Sequence, residues 1–466
     1  MLKEIAASLG ATEPALRLLL SLLIGYPIAV FHRYTLYRKS PNLQHIFFIC
    51  CGIGIGFFNY GFEVLHSISS VVVIYITLLT IGGTLLSVYV SFLFNMGYLL
   101  FSYYFTGTEN YDIKWSMPQC VLALRLIGLT FDIYDGTKKI SELSSDQKKT
   151  TLSKMPSFLE VAAHTFFPAS FLVGPQFPMR RYQDFIAGEL RDKETMDPYP
   201  TCLVPGFLRG ALGCFYLSIY QVGISYIPDA YLIGEDYKAL PFWQRLGILG
   251  IWGKLTMYKY ISCWLFAEGV CIASGLTYNG KAESGTYLWN GCANVRIRVF
   301  EGAIKFGHFI TSFNINTNSW VAQYIYKRLK FLGNRYVSQA AALLFLAVWH
   351  GLHSGYYMSF FLEFIIMKFE KDVEYILKQN QKLNQFLEMP IVKQVCWVIL
   401  KIYVTVFMGY CLVPFVFLSY NRWMDMYSSI YFCGHIMYVG WPIYAPLVRL
   451  LLPPRNKESK QDAHTD

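Results

Sequence analysis

An ionisable side chain, His350, stands in the segment Trp349-His350-Gly351-Leu352-His353-Ser354, directly after the apolar run 340–348 and before Tyr357-Met358-Ser359-Phe360-Phe361-Leu362. A histidine at bilayer depth is costly to keep, usually faces the protein interior or a water-filled cavity, and is by default a functional-site candidate. Its imidazole, with an ordinary pKa of about 6.5, can accept a proton when burial keeps the ring neutral. About three dozen residues earlier comes Phe313-Asn314-Ile315-Asn316-Thr317-Asn318-Ser319-Trp320, three amides in five residues. Such a run more often makes a turn or a helix cap than a site. Between the two lies Lys327-Arg328-Leu329-Lys330, followed by Arg335. That cluster fits a polyanionic ligand and equally fits anchoring at a cytosolic membrane interface.

On periodicity and composition these readings stay open. His164 in Val161-Ala162-Ala163-His164 and His435 in Cys433-Gly434-His435 compete with His350, and a buried histidine serves equally as a core residue or on a transporter's proton path. A transporter is therefore the alternative from another class, yet no convincing pair of Gly-broken spans occurs at corresponding places in two halves. If the chain around His350 is helical, His350, His353 and Ser354 share a face. No H-E-x-x-H accompanies them and Glu363 is several turns away, so no metal site is expected. Ser354, one helical turn beyond His350, is the hydroxyl that a nucleophilic mechanism would use.

The elements that must position these groups are membrane helices. With 54% hydrophobic and 15% charged residues in 466, the chain is too apolar for an ordinary soluble protein. Apolar stretches of the length a bilayer requires run over 16–31, 45–62, 68–81, 85–105, 117–133, 157–173, 207–227, 246–276, 340–369, 395–418 and 430–452. The expectation is an all-α polytopic membrane protein of about eleven transmembrane helices, since backbone groups in lipid must be satisfied internally and barrel alternation is absent. Residues 1–466 read as a single membrane-embedded domain with polar or amphipathic connections at 141–154, 183–201 and 370–388 and a polar tail at 453–466. The last connection has Phe369, Val373, Ile376, Leu377, Phe386 and Leu387 near helical spacing, as an interfacial amphipathic helix would. The stretch Trp289 to Tyr336 is too aromatic for water and too polar for lipid, and is expected to be partly buried.

The net charge of +10 is spread over short loops rather than gathered on one basic face, which argues for the positive-inside rule over nucleic acid. Arg33, Arg38 and Lys39 follow the first span, favouring a lumenal N-terminus and a cytosolic first loop, and an odd number of spans puts Arg455, Lys457 and Lys460 in the cytosol. No basic n-region or small-residue cleavage site marks a removable signal peptide. The eleven cysteines lie mostly in apolar runs without any C-x-x-C, so neither a disulfide framework nor a zinc ribbon is expected.

The pattern Asn314-x-x-Thr317-x-x-Trp320, a basic cluster and His350 in Trp349-His350-Gly351 resembles the membrane-bound O-acyltransferase family, whose signature residues are an asparagine and a histidine so arranged. Tyr111-Asp112-Ile113-Lys114-Trp115, Leu172-Val173-Gly174-Pro175-Gln176-Phe177, Cys292-Ala293-Asn294, and Ser312 to Asn318 with Lys327 to Asn334 are similar to the lysophosphatidylcholine acyltransferase branch. The resemblance runs from Ala7-Ser8-Leu9-Gly10-Ala11 to the last span. It implies an enclosed catalytic chamber and transfer of a fatty acyl group, polyunsaturated by preference, from acyl-coenzyme A to the sn-2 hydroxyl of a lysophospholipid, mainly lysophosphatidylcholine. Acyl-coenzyme A is then a co-substrate, with no permanently bound cofactor. His350 is implied as general base, Asn314 as the residue at the thioester carbonyl, and Lys327, Arg328, Lys330 and Trp320 as acyl-coenzyme A contacts. Other family members acylate peptides or sterols, which the chain-wide likeness to the lysophospholipid branch argues against. Residence in the endoplasmic reticulum is implied by family only, because Ala463-His464-Thr465-Asp466 supplies no di-lysine retrieval signal.

Overall fold

The computed structural model describes residues 1–108, 113–192 and 201–451. Tyr111 and Asp112, residues 193–200 of the 183–201 connection and the 453–466 tail lie outside the described residues. Among those described, helices dominate and no β-strand forms, only an isolated antiparallel bridge between Lys281 and Tyr287.

The helices that matter here are α1 Glu13–Phe31, α2 Pro41–Tyr60, α3 Val64–Ile81, α4 Leu85–Thr106, α5 Ser116–Asp135, α6 Phe158–Thr165, α7 Leu203–Tyr226 and α8 Phe242–Ser274. They are followed by α9 Ile315–Val321, α10 Arg335–His350, α11 Ser354–Lys378 and α12 Pro390–Phe417. Their starts follow local chemistry. The Thr12 hydroxyl accepts from the Ala15 amide at α1, Thr84 accepts from Ser87 at α4, and Ser157 forms a capping box with Glu160 at α6, each satisfying a donor that a helix N-terminus leaves open.

Among the described residues six stretches are long and apolar enough to cross a membrane: Glu13–Leu36, Pro41–Ile81, Leu85–Thr106, Ser116–Asp135, Leu203–Tyr226 and Pro390–Phe417. The expected eleven are not reproduced, for identifiable reasons. One of the six, Pro41–Ile81, holds two of the expected spans as α2 and α3, joined by a 3₁₀ turn at Gly61–Glu63. The 157–173 stretch is helical only as α6, and 430–452 divides into Cys433–Val439 and Trp441–Leu451. The 340–369 stretch breaks between α10 and α11, whereas α8, 33 residues long, carries Lys254, Lys259 and Glu268 along its length. The 370–378 part of the expected amphipathic connection continues α11, with a separate short helix at Gln381–Leu387.

The chain forms two compact units, each assembled from separated segments. The first comprises residues 1–219, 258–295 and 313–352. Within it α4 lies along α5, joined by the Thr130 hydroxyl donating to Ser91 Oγ at 3.0 Å. Arg125 on α5 is 2% exposed and donates to the carbonyls of His164 and Thr165 at 2.8 Å each, to the Ser170 carbonyl at 2.9 Å, to Ser170 Oγ at 2.6 Å and to Gln176 Oε1 at 3.1 Å. A guanidinium presents five donors in a rigid fork. Here it binds the non-helical 165–177 segment to α5, so that irregular backbone among apolar helices finds its partners inside the protein.

The second unit comprises residues 220–257, 296–312 and 353–466. Its long helices cross at glycines. A methyl group on Gly409 of α12 would stand 2.3 Å from the Leu249 carbonyl oxygen of α8, and one on Gly253 would stand 2.3 Å from the Gly409 Cα. Small residues at such crossings let backbones approach where apolar surface alone gives no drive to associate. Gly409→Val should therefore cost about 1–3 kcal/mol through overpacking, read as a lower thermal midpoint of the detergent-solubilised protein. Gly97→Ala on α4, where an added methyl meets nothing within 4 Å, should leave the midpoint unchanged or raise it. Equal midpoints for both variants would show that the close crossing contributes nothing.

Candidate active site

His350 is the last residue of α10, half-buried, with its ring against that of Trp349 at 4.7 Å between centroids. The helix begins at Asn334, whose side-chain oxygen accepts from the Tyr336 and Val337 amides, and ends because Gly351 takes φ +149° and ψ −172°, a region essentially reserved for glycine. The end is tied at two points. Trp349 Nε1 donates to the Cys120 carbonyl of α5 at 2.9 Å, and the Trp349 carbonyl accepts from the Tyr103 hydroxyl of α4 at 2.9 Å. One of the carbonyls that a helix C-terminus leaves without a partner thus serves to fix the imidazole-bearing turn. His353 and Ser354 do not share a helical face with His350, since the helix stops there and α11 starts anew at Ser354.

Asn314 also sits at a break. It precedes α9 in the left-handed conformation, φ 50° and ψ 45°, which asparagine tolerates better than most residues. Asn294 holds this turn. Its carbonyl accepts from the Ile315 amide at 3.0 Å, and its Oδ1 accepts from the Asn316 amide at 2.9 Å and from Asn316 Nδ2 at 3.1 Å. Its Nδ2 donates to Asn314 Oδ1 at 3.4 Å. Asn294 is held in turn by Glu268 of α8, whose Oε1 accepts from the Asn294 and Val295 amides at 2.7 and 2.9 Å. The second Glu268 oxygen pairs with Arg209 of α7 at 2.6 Å, and Arg209 also donates to the Val295 carbonyl at 2.7 Å. Asn294 and Glu268 are each 2% exposed.

Trp320, at the end of α9, is 4% exposed and stacks on Phe345 of α10, centroids 5.6 Å apart. Six residues separate Asn314 from Trp320 and five separate Phe345 from His350, so each polar residue lies within about two helical turns of the stack. The Trp320 Nε1 hydrogen has no protein partner among the described residues, and it faces Gly128 of α5, where a methyl would stand 2.9 Å away. Of the aromatic 289–336 stretch, Phe300, Phe306, Phe309, Trp320 and Tyr324 are buried as expected, whereas Phe331 is exposed.

The basic cluster follows as a π-helical turn at Ala322–Tyr326 and a 3₁₀ turn at Lys327–Leu332. Arg328 makes a two-pronged pair with Asp135, whose side chain is wholly buried and which Lys138 also approaches at 3.5 Å. Lys327 pairs with the half-exposed Asp146 and holds its carboxyl below the usual carboxylate range. Lys330 is exposed. Tyr324 donates to Asp132 at 2.8 Å.

The competing residues have structural partners. His164 Nε2 meets the Phe177 carbonyl at 3.0 Å, and His435 Nδ1 meets the Tyr410 hydroxyl at 2.5 Å. The Ser354 hydroxyl donates to the Leu418 carbonyl and accepts from Trp423 Nε1 at 3.2 Å, an arrangement without a base on the hydroxyl. Among the described residues no group of three or more His, Cys, Asp or Glu could hold a metal ion. Sequence reasoning missed Glu268 and Arg209 altogether; a carboxylate inside the apolar 246–276 run was the available signal, since buried charges there are paired and costly.

The apolar helices define a multi-pass membrane protein, with a histidine and an asparagine at two helix breaks of one unit. Residues 85–413 match the model of the membrane-bound O-acyltransferase family. The chain is 43% identical to human lysophospholipid acyltransferase 5 over 99% of this chain and 94% of that protein. It is 44% identical to the Drosophila melanogaster lysophospholipid acyltransferase 5 over 95% of this chain and 89% of the other, and 27% identical to membrane-bound glycerophospholipid O-acyltransferase 2 of Gallus gallus over 91% and 83%. The chain belongs to the membrane-bound O-acyltransferase family and is an acyltransferase of that family.

The turn after His350 supplies a direct test of the geometry. Gly351→Ala should store about 1–3 kcal/mol of backbone strain, seen as a lower melting temperature and reduced acyl transfer by the surviving folded protein. Unchanged melting and turnover would mean that the turn does not need a glycine conformation.

Proposed function

We propose that this chain, acting as one membrane-embedded domain, transfers a long-chain fatty acyl group from acyl-coenzyme A to the sn-2 hydroxyl of a lysophospholipid, lysophosphatidylcholine foremost, in phospholipid remodelling. The observation that carries the reading is the 43% identity with human lysophospholipid acyltransferase 5 over 99% of the chain. The proposed site is the endoplasmic reticulum membrane, on family grounds. Polyunsaturated donors are proposed on the same basis.

In the proposed step His350 accepts the proton of the lysophospholipid hydroxyl as its oxygen attacks the thioester carbonyl carbon. A C–O bond forms, the C–S bond breaks, and the proton passes on to the departing coenzyme A thiolate. Asn314 stabilises the negative charge that develops on the carbonyl oxygen, a kind of assistance often worth about 10²–10³ in rate. Direct attack is favoured over an acyl-enzyme because the Ser354 hydroxyl is engaged by a backbone carbonyl and an indole rather than by a base.

Trp320 supports a contact with acyl-coenzyme A through its unused buried N–H, since an orphaned buried donor is costly unless a ligand satisfies it. For the phosphates, Lys330 and Lys327 are the suitable cations: the Lys327 partner Asp146 is partly exposed, and an exposed pair of that kind is weak enough to exchange. Arg328 keeps its buried Asp135 and braces the segment.

Purified protein in detergent, given arachidonoyl-coenzyme A and lysophosphatidylcholine, should release free coenzyme A, and a transporter would not do so in the absence of a sealed compartment. His350→Ala should lower kcat about 10²- to 10⁴-fold, the range for general-base assistance, in a protein that melts as the parent does. Undiminished release by that variant removes His350 from the chemistry. Replacing Lys327 and Lys330 together by Gln should raise the KM for acyl-coenzyme A by roughly tenfold, as expected for loss of charge-assisted contacts, and leave that for lysophosphatidylcholine within twofold. Equal rises for both substrates would indicate membrane anchoring instead.

A further inference from the structure

The hydrogen-bond chain behind Asn314 fixes which end of its amide faces the substrate, and so identifies two residues that position it. The backbone N–H of Asn316 is a donor whatever the side chains do, and it points at the Asn294 side-chain amide at 2.9 Å. The atom receiving it must be the oxygen. The Asn316 side-chain NH2, which also donates to the Cys292 and Ala293 carbonyls at 3.2 and 3.1 Å, meets the same oxygen at 3.1 Å. The other end of the Asn294 amide is therefore NH2, a donor, and the Asn314 atom that meets it is the acceptor Oδ1. This settles by donor–acceptor logic an assignment that atomic positions by themselves leave ambiguous.

Asn294 cannot turn over to relieve the arrangement. Glu268 grips its backbone amide and that of Val295, and Glu268 is paired with Arg209. Both Asn294 and Glu268 are buried, so neither can exchange these bonds for water. A flipped Asn294 would set its NH2 against the Asn316 N–H, donor against donor, at an apolar site where an unmade bond is expensive.

We infer that Glu268 and Asn294 are positioning residues that hold the Asn314 amide with its oxygen inward and its NH2 outward, as the hydrogen-bond donor to the acyl thioester oxygen. This rests on the proposed acyl transfer. It assigns Asn314 the oxyanion-donor role and excludes the alternative in which its carbonyl orients the hydroxyl of the acceptor. The left-handed backbone at Asn314 belongs to the same device, since it brings the side chain back onto Asn294 while α9 departs.

The test is a double-mutant cycle on turnover in detergent, with arachidonoyl-coenzyme A and lysophosphatidylcholine as substrates. Asn294→Asp keeps the shape and the acceptor for Asn316 but replaces the NH2 by a second acceptor, which draws the Asn314 NH2 inward. Its kcat should fall roughly 10- to 100-fold, less than or equal to the loss in Asn314→Ala, with both KM values within about twofold. In an Asn314→Ala background the same change should cost nothing more, because the group it acts through is gone. Glu268→Gln, which keeps an acceptor for the two amides while weakening it, should show the same non-additivity at smaller amplitude, and replaces Asn294→Asp in the cycle if that protein melts early. Wild-type kcat in Asn294→Asp, or losses that multiply in the double variant, would overturn the inference while leaving Asn314 in the reaction. Wild-type kcat in Asn314→Ala would overturn the acyl-transfer assignment of Asn314 and the inference with it.

Discussion

Glu268 carries the first unit's polar architecture. Its carboxylate is 2% exposed in the last two turns of a 33-residue helix, a position that would be untenable for an unpaired charge. It is kept there by Arg209 on one oxygen and by two consecutive backbone amides on the other. The dependence is mutual: residues 275–296, which follow α8, are not helical, and their amides need acceptors that neither lipid nor apolar side chains supply. One buried charge thus satisfies irregular backbone, and the backbone in turn justifies the charge. Removing either partner leaves the other desolvated and unpaired, which is why such networks are all-or-nothing in their contribution.

Both proposed reactive groups lie where helices are interrupted. A continuous helix uses up its amides and carbonyls internally, and its side chains radiate at fixed intervals. A break frees one or two backbone groups for tertiary partners and redirects one side chain. At Asn314 the break is a left-handed residue held by Asn294; at His350 it is the following Gly351, with the Trp349 carbonyl taken by Tyr103. The Trp320–Phe345 stack joins the two helices concerned. Arg125 does for the 165–177 segment what Glu268 does for residues 294 and 295, with the opposite charge: a buried guanidinium collects carbonyls where a buried carboxylate collects amides.

Much of this was legible in the residues. Helical class and membrane insertion followed from composition and run length, and the likeness in Asn314, Thr317, Trp320 and His350 led to the family that the chain-wide matches show. The burial of the aromatic stretch around Trp320 followed from its being unfit for water or lipid. The number of spans did not follow. A hydropathy window averages across Gly61 and Gly351, and so cannot register that one stretch joins two spans while another is two helices. Nor was the fate of the basic cluster legible, because Asp135 and Asp146 are nearly two hundred residues away from Arg328 and Lys327.

Sequence by itself determined what each residue can do: that His350 can accept a proton and that Asn314 carries an amide with two unlike ends. Those are properties of side-chain chemistry and of the local solvent, and they travel with the chain. Which partner is found, and so which end of an amide faces outward, was decided by tertiary structure alone. Hydrogen bonds are directional over about 3 Å, and no spacing along the polypeptide encodes that Asn316 and Glu268 each come within that distance of Asn294.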